Sequence, residues 1–156
     1  MARTTAFTRL AAAALALAAA AGLGLSGTGE AAASREFPVS TCIGPSPNVI
    51  DLPFMVRRAI VDTYAGNAYI AADFPSYFPG GYQSSLRTDW HNQSTGKRGS
   101  KLSNTRVRPP YQGVHYFVIP VSQIGRGRVD VTFSAVNSNA LWSVPSTSCR
   151  GTIVVP

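Results

Sequence analysis

This chain is poor in acid. Seven Asp and Glu stand against fourteen Lys and Arg, a formal charge of +7 over 156 residues. Charged residues are only 13% and hydrophobic residues 45%, which excludes a disordered chain. Two cysteines are too few for a dense disulfide scaffold or a four-cysteine zinc site. Fourteen Gly and eleven Pro are too few for a fibrous repeat. The length fits one domain of ordinary size.

What is present begins with a leader. Arg3 and Arg9 precede an apolar run from Leu10 to Leu25. That run is shorter than the ~20 residues needed to span a bilayer. Gly27, Gly29 and Glu30 break it, and Ala31, Ala32 and Ala33 supply small residues for cleavage. The pattern predicts a Sec signal peptide over 1–33, cut near Ala33, and a secreted domain over 34–156. No Arg-Arg pair calls for the twin-arginine route, and no Cys at the cut offers a lipid anchor. Beyond Ala33 no apolar stretch reaches membrane-spanning length, so no integral membrane association is expected. Removing Arg3, Arg9 and Glu30 leaves 12 basic and 6 acidic residues, a net charge of +6.

Cys42 and Cys149 flank most of that domain. In an oxidising compartment a lone pair is expected to bridge. The loop between them spans 149 − 42 = 107 residues. Closing a loop of that size stabilises by up to about 4.7 kcal/mol. The bridge suits a domain whose first and last strands lie side by side.

Residues 128–136 alternate strictly, with Val129, Val131, Phe133 and Ala135 on one face and polar residues on the other. Residues 114–121 are apolar on both faces and predict a central strand that ends near Pro120, with Tyr116 and Val118 in the core. His115 shares a face with Phe117 and Ile119, as a core histidine would. Residues 84–105 predict a hairpin turning around Asn92, Ser94 and Gly96. Further strands are expected at 37–43 and 150–155, where Ile153 is core, with another around Leu141, Trp142 and Val144. The span 51–64 reads either as a short helix capped by Asp51 or as a strand whose alternation fails at Arg58 and Asp62. Many short strands with turns between them predict one antiparallel β-sandwich of immunoglobulin-like architecture, with at most one short helix.

Two segments, WHNQSTGKRG (90–99) and GRGRVDVTF (125–133), together with the leader and the terminal cysteines, resemble small secreted β-sandwich proteins of actinobacteria. The Ala-rich composition with Arg over Lys agrees with that source. The resemblance implies a secreted β-sandwich and carries no function with it.

The search for chemistry returns little. No H-E-x-x-H or comparable ligand spacing exists, so neither a metal nor a cofactor is expected. The glycines of 125–128 lack the third Gly and the helix of a phosphate loop. There is no G-x-S-x-G elbow. Asp62, Asp73 and Asp89 have no spacing that suggests paired carboxylates. No catalytic residue is therefore assigned. The competing readings are a small secreted hydrolase without a recognisable motif and an extracellular enzyme inhibitor.

Two features stand out. From Trp90 to Val129 there is no acidic residue, while Lys97, Arg98, Lys101, Arg106, Arg108, Arg126 and Arg128 are basic. We expect Lys97, Arg98, Lys101, Arg106 and Arg108 to contact anionic groups, with Trp90 and Tyr111 as stacking partners. The expected partner is an anionic wall polymer or another protein, not a specific nucleic acid sequence. The bland alternative is a solvated basic face. The second feature is DFPSYFPGGY (73–82), where Phe74, Tyr77, Phe78 and Tyr82 lie among Pro and Gly. It is expected to fold over the core as a lid, or else to form an exposed platform.

Overall fold

The computed structural model describes residues 34–156, apart from 52–53, 75, 109–112 and 145–146. Residues 1–33, where the signal peptide is expected, and Tyr111 therefore lie outside the described residues. The described chain is mainly β. Its strands are β1 (Arg35–Gly44), β2 (Phe54–Tyr64), β3 (Asn67–Phe74), β4 (Tyr82–Asn92), β5 (Arg98–Val107), β6 (Gly113–Pro120), β7 (Gly127–Ser138) and β8 (Thr147–Val155). They form one eight-stranded antiparallel sheet in the order β5-β4-β7-β8-β1-β2-β3-β6. Among the described residues the only helix is the single turn Val121–Ile124, and no helix is long and apolar enough to cross a membrane.

The period-two pattern of 128–136 becomes β7 as expected. Val129, Val131, Phe133 and Ala135 are buried, and Arg128 on the opposite face is exposed. The predicted hairpin is β4–β5, and its register runs without interruption from Tyr82 opposite Val107 to His91 opposite Arg98. Across the core Phe117 of β6 faces Phe133 of β7, with ring centroids 6.3 Å apart. Ile153 is fully buried.

One open alternative is resolved and two expectations are corrected. The span 51–64 yields a strand, β2, because both of its edges are hydrogen-bonded, to β1 and to β3. A register shift in β1 between Pro38 and Cys42 accompanies the break in alternation, and Arg58 turns outward to pair with Glu36 at 2.9 Å. The strand around 114–121 is β6, but it ends the sheet order instead of lying in its middle. Tyr116 and Val118 are consequently not core: they are 66% and 38% exposed, and the inward face is His115, Phe117 and Ile119. No strand forms at 141–144, where only the bridge between Ser138 and Ser143 occurs.

The first and last described strands do meet. β1 and β8 are antiparallel neighbours through the pair Val39 and Gly151. Cys149 is buried in β8, and Cys42 lies in β1 on the same side of that pair. The Cys42 side chain, and with it the expected bridge, lies outside the described residues.

Candidate functional site: a recess beside the β4–β5 hairpin

The far end of β4 positions the site. Trp90 points inward, and its cross-strand partner on β5 is Gly99. The missing side chain lets the indole lie against the β5 backbone: a Cβ at Gly99 would come within 2.3 Å of Trp90 Cζ2. The ring is 8% exposed, and its Nε1–H has no hydrogen-bond partner among the described residues. Leaving a buried donor unpaired costs about 1–3 kcal/mol.

Beyond Trp90 the chain turns at 93–97, and Asn92 fixes the turn from inside. Its Oδ1 accepts from the N–H of Ser94 and of Thr95, both at 2.8 Å. Its Nδ2 donates to the carbonyls of Ile124 at 3.0 Å and Arg126 at 2.9 Å. All four hydrogen-bonding positions of this buried amide are thus used. Gly125 and Gly127, at φ 78° and 98°, allow the close approach, since a Cβ on either would meet Thr95 or Ser94 at 2.6 Å. Gln93 adds a backbone bond to Arg128 O at 2.9 Å and a side-chain bond from Nε2 to Asp130 Oδ2 at 2.6 Å. The two segments singled out by resemblance, 90–99 and 125–133, are therefore one spatial unit.

Between the hairpin and the helical turn lies a shallow recess of about 530 Å³, lined by Trp90, Lys97, Arg98, Gly99, Ser100, Ser122 and Gln123. Lys97 Nζ donates to Ser122 O at 2.7 Å, which ties together two residues of the lining. Arg98 is exposed at the start of β5. The recess offers an aromatic wall, two cations and hydroxyl and amide groups, a combination suited to an anion joined to a flat or sugar-like group.

Of the seven residues expected to bind, three line this recess: Trp90, Lys97 and Arg98. Lys101 does not line it. It donates to Val118 O of β6, on the segment that leads to Ser122. Arg106 and Arg108 are exposed at the opposite end of β5, where Arg106 Nη2 donates to Gly80 O at 3.3 Å. The linear basic run is thus divided between two ends of one strand. Sequence reasoning missed Gly99, Ser100, Ser122 and Gln123, which carry no charge or ring to mark them.

The sheet also brings acids to the run. His91 stands between Arg98 on β5 and Asp130 on β7. Asp130 is held below the usual carboxylate range, chiefly by the Gln93 hydrogen bond and then by that of Thr152 at 2.9 Å. Asp89 pairs with Arg87 at 2.7 Å. Asp130 and Arg150 line a second recess of about 410 Å³, with Val131, Thr132, Gly151 and Thr152. His115 is fully buried, its Nε2 3.0 Å from Ser84 Oγ. Burial lowers its pKa to about 4, against a smaller opposing effect of the Ser103 backbone. Among the described residues no group of three or more His, Cys, Asp and Glu is placed to hold a metal ion.

The aromatic segment divides. Tyr82 opens β4 inside the core, where burial first and then the Asp51 charge raise its pKa. Phe78 is half-buried and Tyr77 is 73% exposed, so the segment is partly lid and partly surface. The Phe74 side chain lies outside the described residues. Comparison of the chain with protein-family models, curated proteins and solved structures finds no match to any of them.

Proposed function

We propose that the protein is a secreted, non-catalytic binding module that takes anionic polymers of the cell envelope at the recess beside the β4–β5 hairpin. The observation that carries this reading is the convergence of Lys97 and Arg98 on the wall formed by Trp90 and Gly99. Arg98 supplies a fork for phosphate or carboxylate, Lys97 a point charge, and the indole an apolar face. The welded turns hold these groups in place before a ligand arrives, which reduces the ordering cost of binding. In this reading residues 1–33 are removed on export and Cys42 bridges to Cys149. The adjacency of β1 and β8 supports the bridge. We further infer a sandwich of β6-β3-β2-β1 over β8-β7-β4-β5, supported by the single register pair joining β1 to β8 and by Phe117 facing Phe133.

The test is equilibrium binding to a polyglycerol phosphate, with a neutral glycan as control. Affinity is expected to fall steeply with added salt, as for any contact that displaces counterions. Lys97→Glu with Arg98→Glu is expected to abolish it. Salt-independent binding, or binding untouched by that double change, would remove the recess as the site.

A further inference from the structure

The end of the sheet opposite the recess carries a different surface. The loops between β1 and β2, β3 and β4, and β7 and β8 all emerge there. Each presents large apolar side chains to solvent: Val49 and Ile50 (83% and 84% exposed), Tyr77 (73%), and Leu141 and Trp142 (80% and 47%). An apolar group assembled from three separate loops is not the scattered exposure expected of a solvated surface.

The loops are tied together. Asn139 Nδ2 donates to Pro47 O at 2.6 Å, and Trp142 Nε1 donates to the same carbonyl at 2.7 Å. Asn48 Nδ2 donates to Gly81 O at 2.9 Å. Asp51 joins the first loop to the second, accepting from Ser76 Oγ at 2.6 Å. The backbone amides at the tips are satisfied from within. Asp51 Oδ1 accepts from the N–H of Tyr77 at 2.8 Å and of Phe78 at 3.3 Å. Asn139 Oδ1 accepts from the N–H of Leu141 at 2.8 Å and of Trp142 at 3.0 Å. A loop that must enter an apolar phase has to bring its own acceptors.

Charge selects the phase. Arg106 and Arg108 are exposed at this end. Of the carboxylates here, Asp51 is occupied by the bonds just described, and Asp73 is half-buried in β3. Aliphatic and aromatic tips beside two exposed arginines match the boundary of an anionic bilayer. We propose that this loop end is a peripheral docking surface for anionic lipid membranes, with Ile50, Leu141 and Trp142 entering the headgroup boundary and Arg106 and Arg108 facing lipid phosphates.

The test uses the processed protein, its intact mass checked first, with vesicles of phosphatidylglycerol and phosphatidylcholine and with vesicles of phosphatidylcholine alone. Co-sedimentation with the anionic vesicles and a blue shift of tryptophan emission are expected, with much weaker binding to the neutral ones. Ile50→Ser with Leu141→Ser should reduce vesicle affinity about tenfold or more, since each removes one inserted apolar side chain. Both side chains are at least 80% exposed, so the melting temperature should not move. Trp142→Phe should keep the binding and lose the emission shift. Lys97→Glu with Arg98→Glu should leave vesicle binding intact, which separates this surface from the recess. The proposal fails if neither vesicle binds. It also fails if the Ser variants bind like the parent, or if their only effect is to dissolve an oligomer, which would make this a protein interface.

Discussion

Trp90 fills the space that a side chain at Gly99 would need, 2.3 Å from where its Cβ would stand. One relationship thereby closes the end of the β4–β5 ladder and creates the wall of the recess. Gly99→Val should push the indole out of its site and destabilise the protein by about 1–3 kcal/mol, the usual cost of overpacking. A lowered denaturant midpoint with red-shifted tryptophan emission is the expected result. An unchanged midpoint would mean that the ring is not held against β5.

Asn92 makes four hydrogen bonds from a fully buried amide. Asn92→Ala strips partners from two amides and two carbonyls, at about 1–3 kcal/mol for each group that stays dry. A loss of at least about 2 kcal/mol in equilibrium unfolding is expected. Hydrogen exchange should quicken at Ser94 and Thr95, whose N–H groups the side chain now holds.

His115 sets a pH dependence. Its pKa is about 4 in the folded protein against 6.5 for the free side chain. Between those values the unfolded chain takes up a proton that the folded one refuses, so stability falls as pH drops through that window. The whole effect is about 3 kcal/mol, fully present above pH 6.5 and exhausted below pH 4. Urea midpoints measured at about pH 7 and about pH 4.5 should differ accordingly, and His115→Gln should flatten the difference.

Charge reversal at Lys97 and Arg98 should change stability by less than about 1 kcal/mol, because both are exposed and neither is in a carboxylate ion pair among the described residues. A melt that matches the parent, beside lost polymer binding, assigns the effect to the recess. A large drop in melting temperature would instead give Lys97 a structural role through its bond to Ser122 O.

Much of the fold was legible along the chain. The alternation of 128–136 announced β7, and the turn cluster at Asn92, Ser94 and Gly96 announced the β4–β5 hairpin, because period and turn chemistry are local properties. The side-by-side first and last strands followed from where the cysteines stand. Residues 51–64 left helix and strand open because Arg58 and Asp62 interrupt the simple alternation, and only pairing with β1 and β3 decides for the strand. Tyr116 and Val118 misled because an apolar run does not say which of its faces is covered.

The sequence by itself determined the β character, the basic excess and the residue types from which a site is made. Only the tertiary structure decided which of them meet. Strand pairing carries Asp130 to His91 and Arg98, and the length of β5 parts Arg106 and Arg108 from Lys97. It also gathers Ile50, Tyr77, Leu141 and Trp142 from three loops that are remote in sequence. The physical reason is range. Propensity and period act over a few residues, whereas a recess or an apolar surface is defined by neighbours tens of residues apart, brought together by hydrogen-bonded register and core packing.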